Sequence, residues 1–139
     1  MRGLARISEA ASLAIHASVV LASDPDRLFT AHEIAEGLGV SVNHLAKVIQ
    51  RLEKAGYLES VRGRAGGVRL SAKGRRSVLL DLYEAIEGPF EIRGCLLDRP
   101  QCPARDCGLG KLLKRTAEDL SAYLSQTKPG DVAKAGRTG

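Results

Sequence analysis

The sequence predicts a mainly α-helical fold in which two helices joined by a short turn precede a two-stranded β-hairpin and, further on, a long helix. Two observations lead to this prediction. Apolar residues recur at the 3.6-residue period of a helix in several segments. Glycines also cluster between two short runs that favour strands. With 139 residues, 44% of them hydrophobic, the chain can bury one core.

The first helix is predicted over residues 6–22. Its apolar residues recur at helical spacing, at Ile7, Ala11, Ile15, Val19 and Ala22. Because Glu9 and His16 interrupt the apolar run, we do not interpret the segment as a secretory signal. No stretch approaches the roughly 20 apolar residues of a membrane span, and three cysteines, an odd number, favour a reducing compartment. We expect a cytoplasmic protein without membrane contact.

The next two helices are predicted from their capping residues. Thr30 and Glu33 have the spacing of a capping box, and Gly37 or Gly39 can end a helix of about two turns. Ser41 is expected to cap the third helix. Its apolar face comprises Leu45, Val48, Ile49 and Leu52. Two helices joined in this way match a helix-turn-helix, whose second helix enters the major groove of DNA.

A β-hairpin is predicted after the third helix, with strands at residues 57–61 and 68–70. Gly63, Gly66 and Gly67 can supply the positive φ that the connecting loop needs. A helix-turn-helix followed by such a hairpin is a winged helix. The predicted fold class is therefore mainly α, a winged helix-turn-helix DNA-binding domain at residues 1–88, with its wing at about residues 57–70.

The C-terminal part of the chain is predicted as a helix, a loop, a long helix and a tail. A basic connector leads to Ser77, which is expected to cap a helix that ends at Gly88. Residues 89–108 lack periodicity and are predicted as a cysteine loop that binds a metal centre. Residues 109–126 are predicted as an amphipathic dimerisation helix, with packing on the first helix as the alternative. Residues 127–139 are expected to be disordered.

Basic charge is concentrated in residues 41–70, where six Lys or Arg face two acids, which leaves +4 of the chain's formal +5. Local positive charge suits the phosphates of duplex DNA, whereas the absence of Trp disfavours stacking on single strands. A solvated charged face is the alternative. The candidate DNA contacts are Thr30, Ser41, Asn43, His44, Lys47, Arg51, Arg62, Arg64, Gly66, Gly67 and Arg69.

The three cysteines of the chain, Cys95, Cys102 and Cys107, lie within thirteen residues. Thiolates are the usual ligands of iron–sulfur clusters and of zinc, and a metal centre can gather three of them from one loop. Structural zinc needs a fourth ligand, and no histidine or further cysteine lies nearby. The alternative is three reduced thiols that act as small hydrophobic residues.

These features resemble the Rrf2 family of bacterial winged-helix regulators. The resemblance covers about residues 7–126 and depends on the run NHLAKVIQRLEKAGYLESVRGRAGGVRL, above all its last ten residues, and on the cysteine loop. It implies a homodimer, crossed through the C-terminal helix, that binds a palindromic promoter site on double-stranded DNA. It also implies an iron–sulfur cluster, 2Fe–2S or 4Fe–4S, on Cys95, Cys102 and Cys107. The expected function is a transcriptional repressor whose promoter affinity follows redox, nitric-oxide or iron status.

The resemblance leaves the fourth metal ligand open, with two positions used by branches of the family and with His16, seven residues after Glu9, as a weaker candidate whose alternative is a buried packing residue. In the cluster-assembly branch of the family a histidine follows the third cysteine by one helical step, and that place is Gly110 here. In the nitric-oxide branch a carboxylate near the N-terminus, donated across the dimer, completes the site, and Glu9 lies at about that place. The alternative for Glu9 is an ordinary first-turn glutamate that favours the positive end of its helix.

Two other functions remain open. One is a cluster-free winged-helix regulator that responds to thiol oxidation or to a small ligand. The other is a protein-interaction module whose basic face binds an acidic protein. An enzyme is not expected, because the sequence contains no arrangement of serine, histidine and acid, or of paired carboxylates, that indicates a catalytic site.

Overall fold

The computed structural model describes residues 7–95 and 106–136. This part of the chain is mainly helical, as predicted, and contains one two-stranded sheet. None of its helices is long and apolar enough to cross a membrane. In chain order the elements are α1 (Glu9–Ser23), α2 (Ala31–Leu38), α3 (Val42–Lys54), β1 (Leu58–Val61), β2 (Gly67–Leu70), α4 (Ala72–Arg76), α5 (Leu79–Glu87), α6 (Gly108–Gln126) and α7 (Pro129–Ala135).

The turn between α2 and α3 is fixed by caps on both sides. The N–H of Glu33 donates to Thr30 Oγ1 (3.1 Å), and the N–H of Thr30 donates to Glu33 Oε1 (3.4 Å), which forms the predicted capping box. This backbone hydrogen bond holds the pKa of the Glu33 carboxyl below its ordinary value. Gly39 follows α2 in the left-handed conformation (φ 68°), and Ser41 Oγ accepts from the N–H of His44 to cap α3.

The hairpin is joined to the helix-turn-helix by a backbone bridge at Phe29. The strands β1 and β2 pair antiparallel, with Val61 opposite Gly67. Phe29 and Val68 exchange two backbone hydrogen bonds of 3.0 Å and 2.8 Å. A Cβ atom on Gly67 would lie 2.6 Å from the carbonyl oxygen of Phe29, so this close approach requires glycine. The winged helix-turn-helix predicted from the sequence is therefore present, with its wing tied to the start of α2.

The core lies around α1, which packs on α3, α5 and α7. The side chains of Leu21, Leu45, Leu52 and Leu82 are fully buried in it. The apolar face predicted for α3 is buried throughout. Because α3 is held by this face, its opposite face is left to solvent in a fixed orientation.

The segment between the wing and α5 differs from the prediction. Residues 72–76 form a short helix, α4, capped by Ser71, whose Oγ accepts from the N–H of Gly74 (3.0 Å). Ser77 does not cap α5: its hydroxyl is buried and donates to the carbonyl of Gly74 (2.6 Å). At the start of α5 the N–H of Val78 instead donates to Asp81 Oδ2 (2.9 Å). The predicted cap at Ser77 is therefore wrong.

The predicted disordered tail is also wrong for residues 129–135, which form α7. Pro129 occupies the first turn and is buried, and the N–H of Lys128 donates to Asp131 Oδ2 (2.9 Å). The N–H of Leu79 donates to the carbonyl of Thr127 (2.8 Å), which anchors the chain before the helix. Packing against α1 thus orders a polar segment that local composition does not favour as a helix.

Candidate DNA interface and cysteine loop

The exposed face of α3 carries two side chains that are available to a partner. Asn43 and Lys47 are exposed, and their side chains form no hydrogen bond or ion pair with the residues that the structure describes. Ser41 is exposed at the start of the helix, and the first turn contains no acidic residue. The N-terminal end of a helix attracts phosphate oxygens. This end of α3 can therefore receive a DNA backbone while Asn43 and Lys47 reach base edges.

Arg51, predicted as a DNA contact, has a partner inside the protein. Its Nη2 donates to the carbonyl of Ile86 (2.7 Å) in the last turn of α5. The last carbonyls of a helix lack intrahelical partners, so this guanidinium caps α5 and ties α3 to it. The sequence places Arg51 on the correct face of α3, but this long-range contact gives it a structural role that periodicity does not indicate.

Replacing Arg51 by alanine is expected to lower the free energy of unfolding by about 1–2 kcal/mol, because one carbonyl at the end of α5 loses its charged donor. Lys47→Ala is the matched control, since Lys47 is exposed on the same helix and has no such partner. It is expected to change the stability by less than about 0.5 kcal/mol. Urea unfolding followed by circular dichroism measures both. Equal stabilities of the two variants would contradict the capping role.

The tip of the wing carries Arg62 and Arg64, both exposed and without an ion pair among the described residues. Arg69 differs from them, because its Nε donates to Glu59 Oε1 (2.8 Å), its register partner on β1. Much of the Arg69 charge is therefore balanced across the hairpin. The net positive charge of the wing lies at Arg62 and Arg64, where phosphates can approach.

The glycines of the wing shape its loop. A Cβ atom on Gly66 would overlap the carbonyl oxygen of Val61, and Gly67 meets Phe29 in the same way. Thr30 contributes through its cap, because its hydroxyl accepts from the N–H of Glu33. The structure thus gives Thr30, Gly66 and Gly67 roles in positioning the wing and α2, and contact with DNA remains a prediction for them.

The described part of the cysteine loop contains two of the three cysteines. Cys95 is half-buried, and Cys107 is exposed immediately before α6, where its Sγ accepts from the N–H of Gly110 (3.4 Å). Cys102 lies outside the described residues. No group of three His, Cys, Asp or Glu that could hold a metal occurs within residues 7–95 and 106–136. A site on all three cysteines therefore stays a prediction.

The two ends of the cysteine loop meet at a pair of glycines. Gly110 is buried in the first turn of α6, and a Cβ atom on it would overlap the carbonyl oxygen of Gly94. Gly94 precedes Cys95, and Gly110 follows Cys107 by three residues. The contact therefore brings the backbone beside Cys95 against the turn that begins at Cys107. It also leaves no space for a side chain at position 110.

Substituting alanine at Gly110 is expected to destabilise the protein by about 1–3 kcal/mol, because the added methyl group must displace the carbonyl of Gly94. Gly108→Ala is the control, since nothing lies within 4 Å of a Cβ atom there. In a helix this exposed change is expected to be neutral or to stabilise by up to about 1 kcal/mol. Thermal unfolding of the two variants distinguishes them. A Gly110→Ala protein as stable as Gly108→Ala would disprove the close contact.

Glu9 lies beside α3, the second helix of the helix-turn-helix, in the same protomer. It occupies the first turn of α1, and its Oε1 is 3.7 Å from His44 Nδ1 in the first turn of α3. The Glu9 side chain is 74% exposed, and that of His44 is 38% exposed. Sequence reasoning treated these two residues separately. The fold brings a candidate metal ligand and a candidate DNA contact together.

The helix α6 buries one side and exposes apolar residues on another. Leu113, Ala117 and Leu124 are buried, and α6 packs on α5. Leu109, Leu112 and Tyr123 are 49%, 55% and 56% exposed. An exposed apolar row on a long helix is typical of an interface with another copy or another protein.

A winged helix-turn-helix with a basic wing, followed by a long amphipathic helix with exposed apolar residues, is typical of a DNA-binding transcriptional regulator. The chain belongs to the Rrf2 family, whose model, described as an iron-dependent transcriptional regulator, matches residues 7–135. The resemblance inferred from the sequence is thereby confirmed. Regulators of this family bind DNA and act as dimers.

Three similar proteins show how far the likeness extends. The HTH-type transcriptional repressor NsrR of Streptomyces coelicolor is 35% identical over 133 residues, which cover 94% of this chain and 89% of that protein. The HTH-type transcriptional regulator NsrR of Bacillus subtilis is 37% identical over 106 residues, 75% of this chain and 70% of that protein. The structure of CymR (YrzC), the global cysteine regulator of B. subtilis, has the same fold, with a TM-score of 0.71, 23% identity and coverage of 93% of this chain and 96% of CymR. All three are named as regulators.

Proposed function

We propose that the protein is a homodimeric repressor whose affinity for a palindromic promoter site depends on an iron–sulfur cluster held by Cys95, Cys102 and Cys107. The observation that carries this proposal is the contact between Gly94 and Gly110, which draws together the backbone beside two of the three cysteines. The name of the Streptomyces relative, a transcriptional repressor, supports the direction of regulation.

The cysteine thiols in the described part of the loop fit the ligands that such a cluster needs. Cys107 is exposed at the start of α6, and a backbone N–H already donates to its sulfur. Hydrogen bonds from the backbone to cysteine sulfur are among the contacts that tune cluster potentials. When bound, the cluster would supply a group that gains or loses electrons and reacts with oxidants or nitric oxide. The thiolates would hold it. Because Cys107 immediately precedes α6, binding or loss of the cluster would change the position of the first turn of this helix.

A fourth ligand at position 110 is disfavoured by the packing of Gly110. The position at which the cluster-assembly branch of the family has a histidine is closed by the carbonyl of Gly94. A ligand donated across the dimer is the other option, and Glu9 is its candidate. Its carboxylate is exposed, and the ion pair that it forms with His44 at 3.7 Å is accessible to solvent and costs little to break.

In this proposal, α6 couples the state of the cysteine loop to the affinity for DNA. The loop is attached to the first turn of this helix, and the exposed row of Leu109, Leu112 and Tyr123 is the proposed seam of the dimer. Half-sites bound by two reading helices lie about one helical turn, ~34 Å, apart. A change at the loop that moves α6 changes the separation of the two α3 helices. Because both must fit successive major grooves, a small change in separation lowers affinity for DNA.

Metal analysis of anaerobically purified protein tests the proposal. We expect a coloured protein with visible absorbance and with iron and acid-labile sulfide in equal amounts. Reconstitution with ferrous iron and sulfide should restore the absorbance after loss in air. A protein that remains colourless and free of iron after reconstitution would overturn the cluster.

A cluster-free thiol sensor is the second candidate function, and the exposure of Cys107 favours it. The backbone next to Cys95 contacts the first turn of α6, which begins beside Cys107. Oxidation would then give a sulfenic acid or a disulfide, without iron. Mass spectrometry of peroxide-treated protein identifies these products. If a selected duplex competes for binding far better than random DNA, the protein is a DNA-binding regulator, with or without a cluster. Equal competition would favour the protein-interaction module.

A further inference from the structure

A cavity lies at the junction of α1, the end of β2, α4 and α7. Its volume is about 320 Å³, near the lower end of the range for small-molecule sites. Apolar surface comes from Ala22, Pro25, Leu70, Pro129 and Ala133. The cavity shares no residue with the candidate DNA interface or with the cysteine loop.

Two cations line this cavity, Arg75 and Lys134, and no carboxylate of the described residues does. The Nη2 atom of Arg75 donates to the carbonyl of Pro25 (2.9 Å) and lies 3.4 Å from Asp26 Oδ1. The Asp26 side chain is 94% exposed, so water screens this pair. These contacts fix the guanidinium at the wall through one nitrogen and leave its other N–H groups available.

Lys134 adds a second positive charge from the other wall. Its ammonium has no carboxylate within ion-pair distance in the part of the chain that the structure describes. A carboxylate in the cavity could bind the planar donor fork of Arg75, a geometry that arginine binds well, and would be attracted by the positive charge of Lys134 at the α7 side of the cavity.

We propose that this cavity binds a small organic carboxylate with a short apolar body. The cations would hold the carboxylate group, and the apolar walls would remove the body of the ligand from water. Inorganic phosphate satisfies the charge but leaves the walls exposed. An uncharged analogue fills the walls but leaves Arg75 with only the exposed Asp26 as its charge partner, and it leaves Lys134 with no carboxylate among the residues that the structure describes. Both halves of the ligand are therefore required.

Isothermal titration calorimetry of the full chain with hexanoate tests the site. We expect hexanoate to bind at least about tenfold more tightly than hexan-1-ol, hexylammonium or inorganic phosphate, since each of these lacks either the negative charge or the apolar body. Absence of hexanoate binding, or equal binding of hexan-1-ol or phosphate, would overturn the proposal.

Three variants locate the binding in this cavity. Arg75→Gln and Lys134→Gln are each expected to weaken hexanoate binding by about tenfold, and Ala133→Leu is expected to weaken it as well, because the larger side chain takes up part of the space for the apolar body of the ligand. Lys128→Gln is the control, because Lys128 is an exposed cation next to α7 that does not line the cavity. Lys134 lies on the surface of α7, so its substitution leaves the fold intact even if Arg75→Gln disturbs α4. An unchanged hexanoate affinity in both Lys134→Gln and Ala133→Leu would place the binding elsewhere and overturn the assignment.

Discussion

Replacing Arg62 and Arg64 together by glutamine is expected to weaken binding to duplex DNA by roughly one to two orders of magnitude near physiological salt. Both side chains are exposed at the tip of the wing, so the change leaves the core untouched. Each neutralised phosphate releases about one counterion, and a homodimer carries each arginine twice. The slope of log affinity against log salt should therefore fall by about three to four.

Fluorescence anisotropy at several salt concentrations measures both quantities, with a duplex that the protein itself selects from a random library. Two controls are available in the chain. Lys114→Gln removes an exposed cation on α6 that lies 4.0 Å from Glu118, and it should leave the slope unchanged. Arg69→Gln should have a smaller effect than the wing-tip pair, because Glu59 already balances Arg69. An unchanged slope in the Arg62 and Arg64 double variant would remove the wing from the interface.

Substituting alanine for Cys107 is expected to abolish the cluster, with loss of at least about 90% of bound iron and of the visible absorbance, because a three-thiolate site loses one of its ligands. The residue is exposed before α6, so the stability of the fold should change by less than about 1 kcal/mol. Iron and sulfide analysis with an anaerobic visible spectrum measures the effect.

Asp106→Asn is the matched control for Cys107→Ala. Asp106 is adjacent, exposed and paired with Lys111 (2.5 Å), so its change perturbs the same turn without removing a thiolate. This variant is expected to keep its iron. Full iron content in Cys107→Ala would show that Cys107 is not a ligand, whereas loss in both variants would indicate a general disturbance of the loop.

Local signals in the sequence were enough to predict the helix-turn-helix. The capping box at Thr30, the left-handed Gly39 and the Ser41 cap all occur as predicted, because each depends on contacts within four residues. The buried face of α3 follows from periodicity for the same reason. The glycine-rich wing was also predictable, although the bridge to Phe29 was not.

Contacts between distant residues account for what the sequence did not predict. Arg51 contacts Ile86 in α5, 35 positions further along the chain, and Glu9 contacts His44 in α3. Sequence periodicity predicts neighbours within one helix or strand, so it predicts neither of these contacts. The helix α7 did leave a local signal, since Pro129 and Asp131 suit a first helical turn. The polar composition of the segment nevertheless favoured a prediction of disorder. Packing of the segment against α1 stabilises the helix in the folded protein.

The candidate cysteine site also has a part that the sequence predicts and a part that it does not. Residue type and clustering single out Cys95 and Cys107 as candidate ligands, because cysteines are rare in this chain and thiolates are common metal ligands. The closure of their loop by Gly94 and Gly110 could not be predicted, since no sequence pattern links two glycines sixteen residues apart. That contact now gives the loop a defined attachment to α6.

The dependence of DNA affinity on the cluster is the central claim, and one measurement tests it directly. The affinity of anaerobic protein for its selected duplex is compared before and after removal of the cluster from the same sample, at constant salt. We expect the cluster-loaded protein to bind at least about tenfold more tightly, which corresponds to about 1.4 kcal/mol. Equal affinities in the two states would contradict the claim, even if the cluster is present.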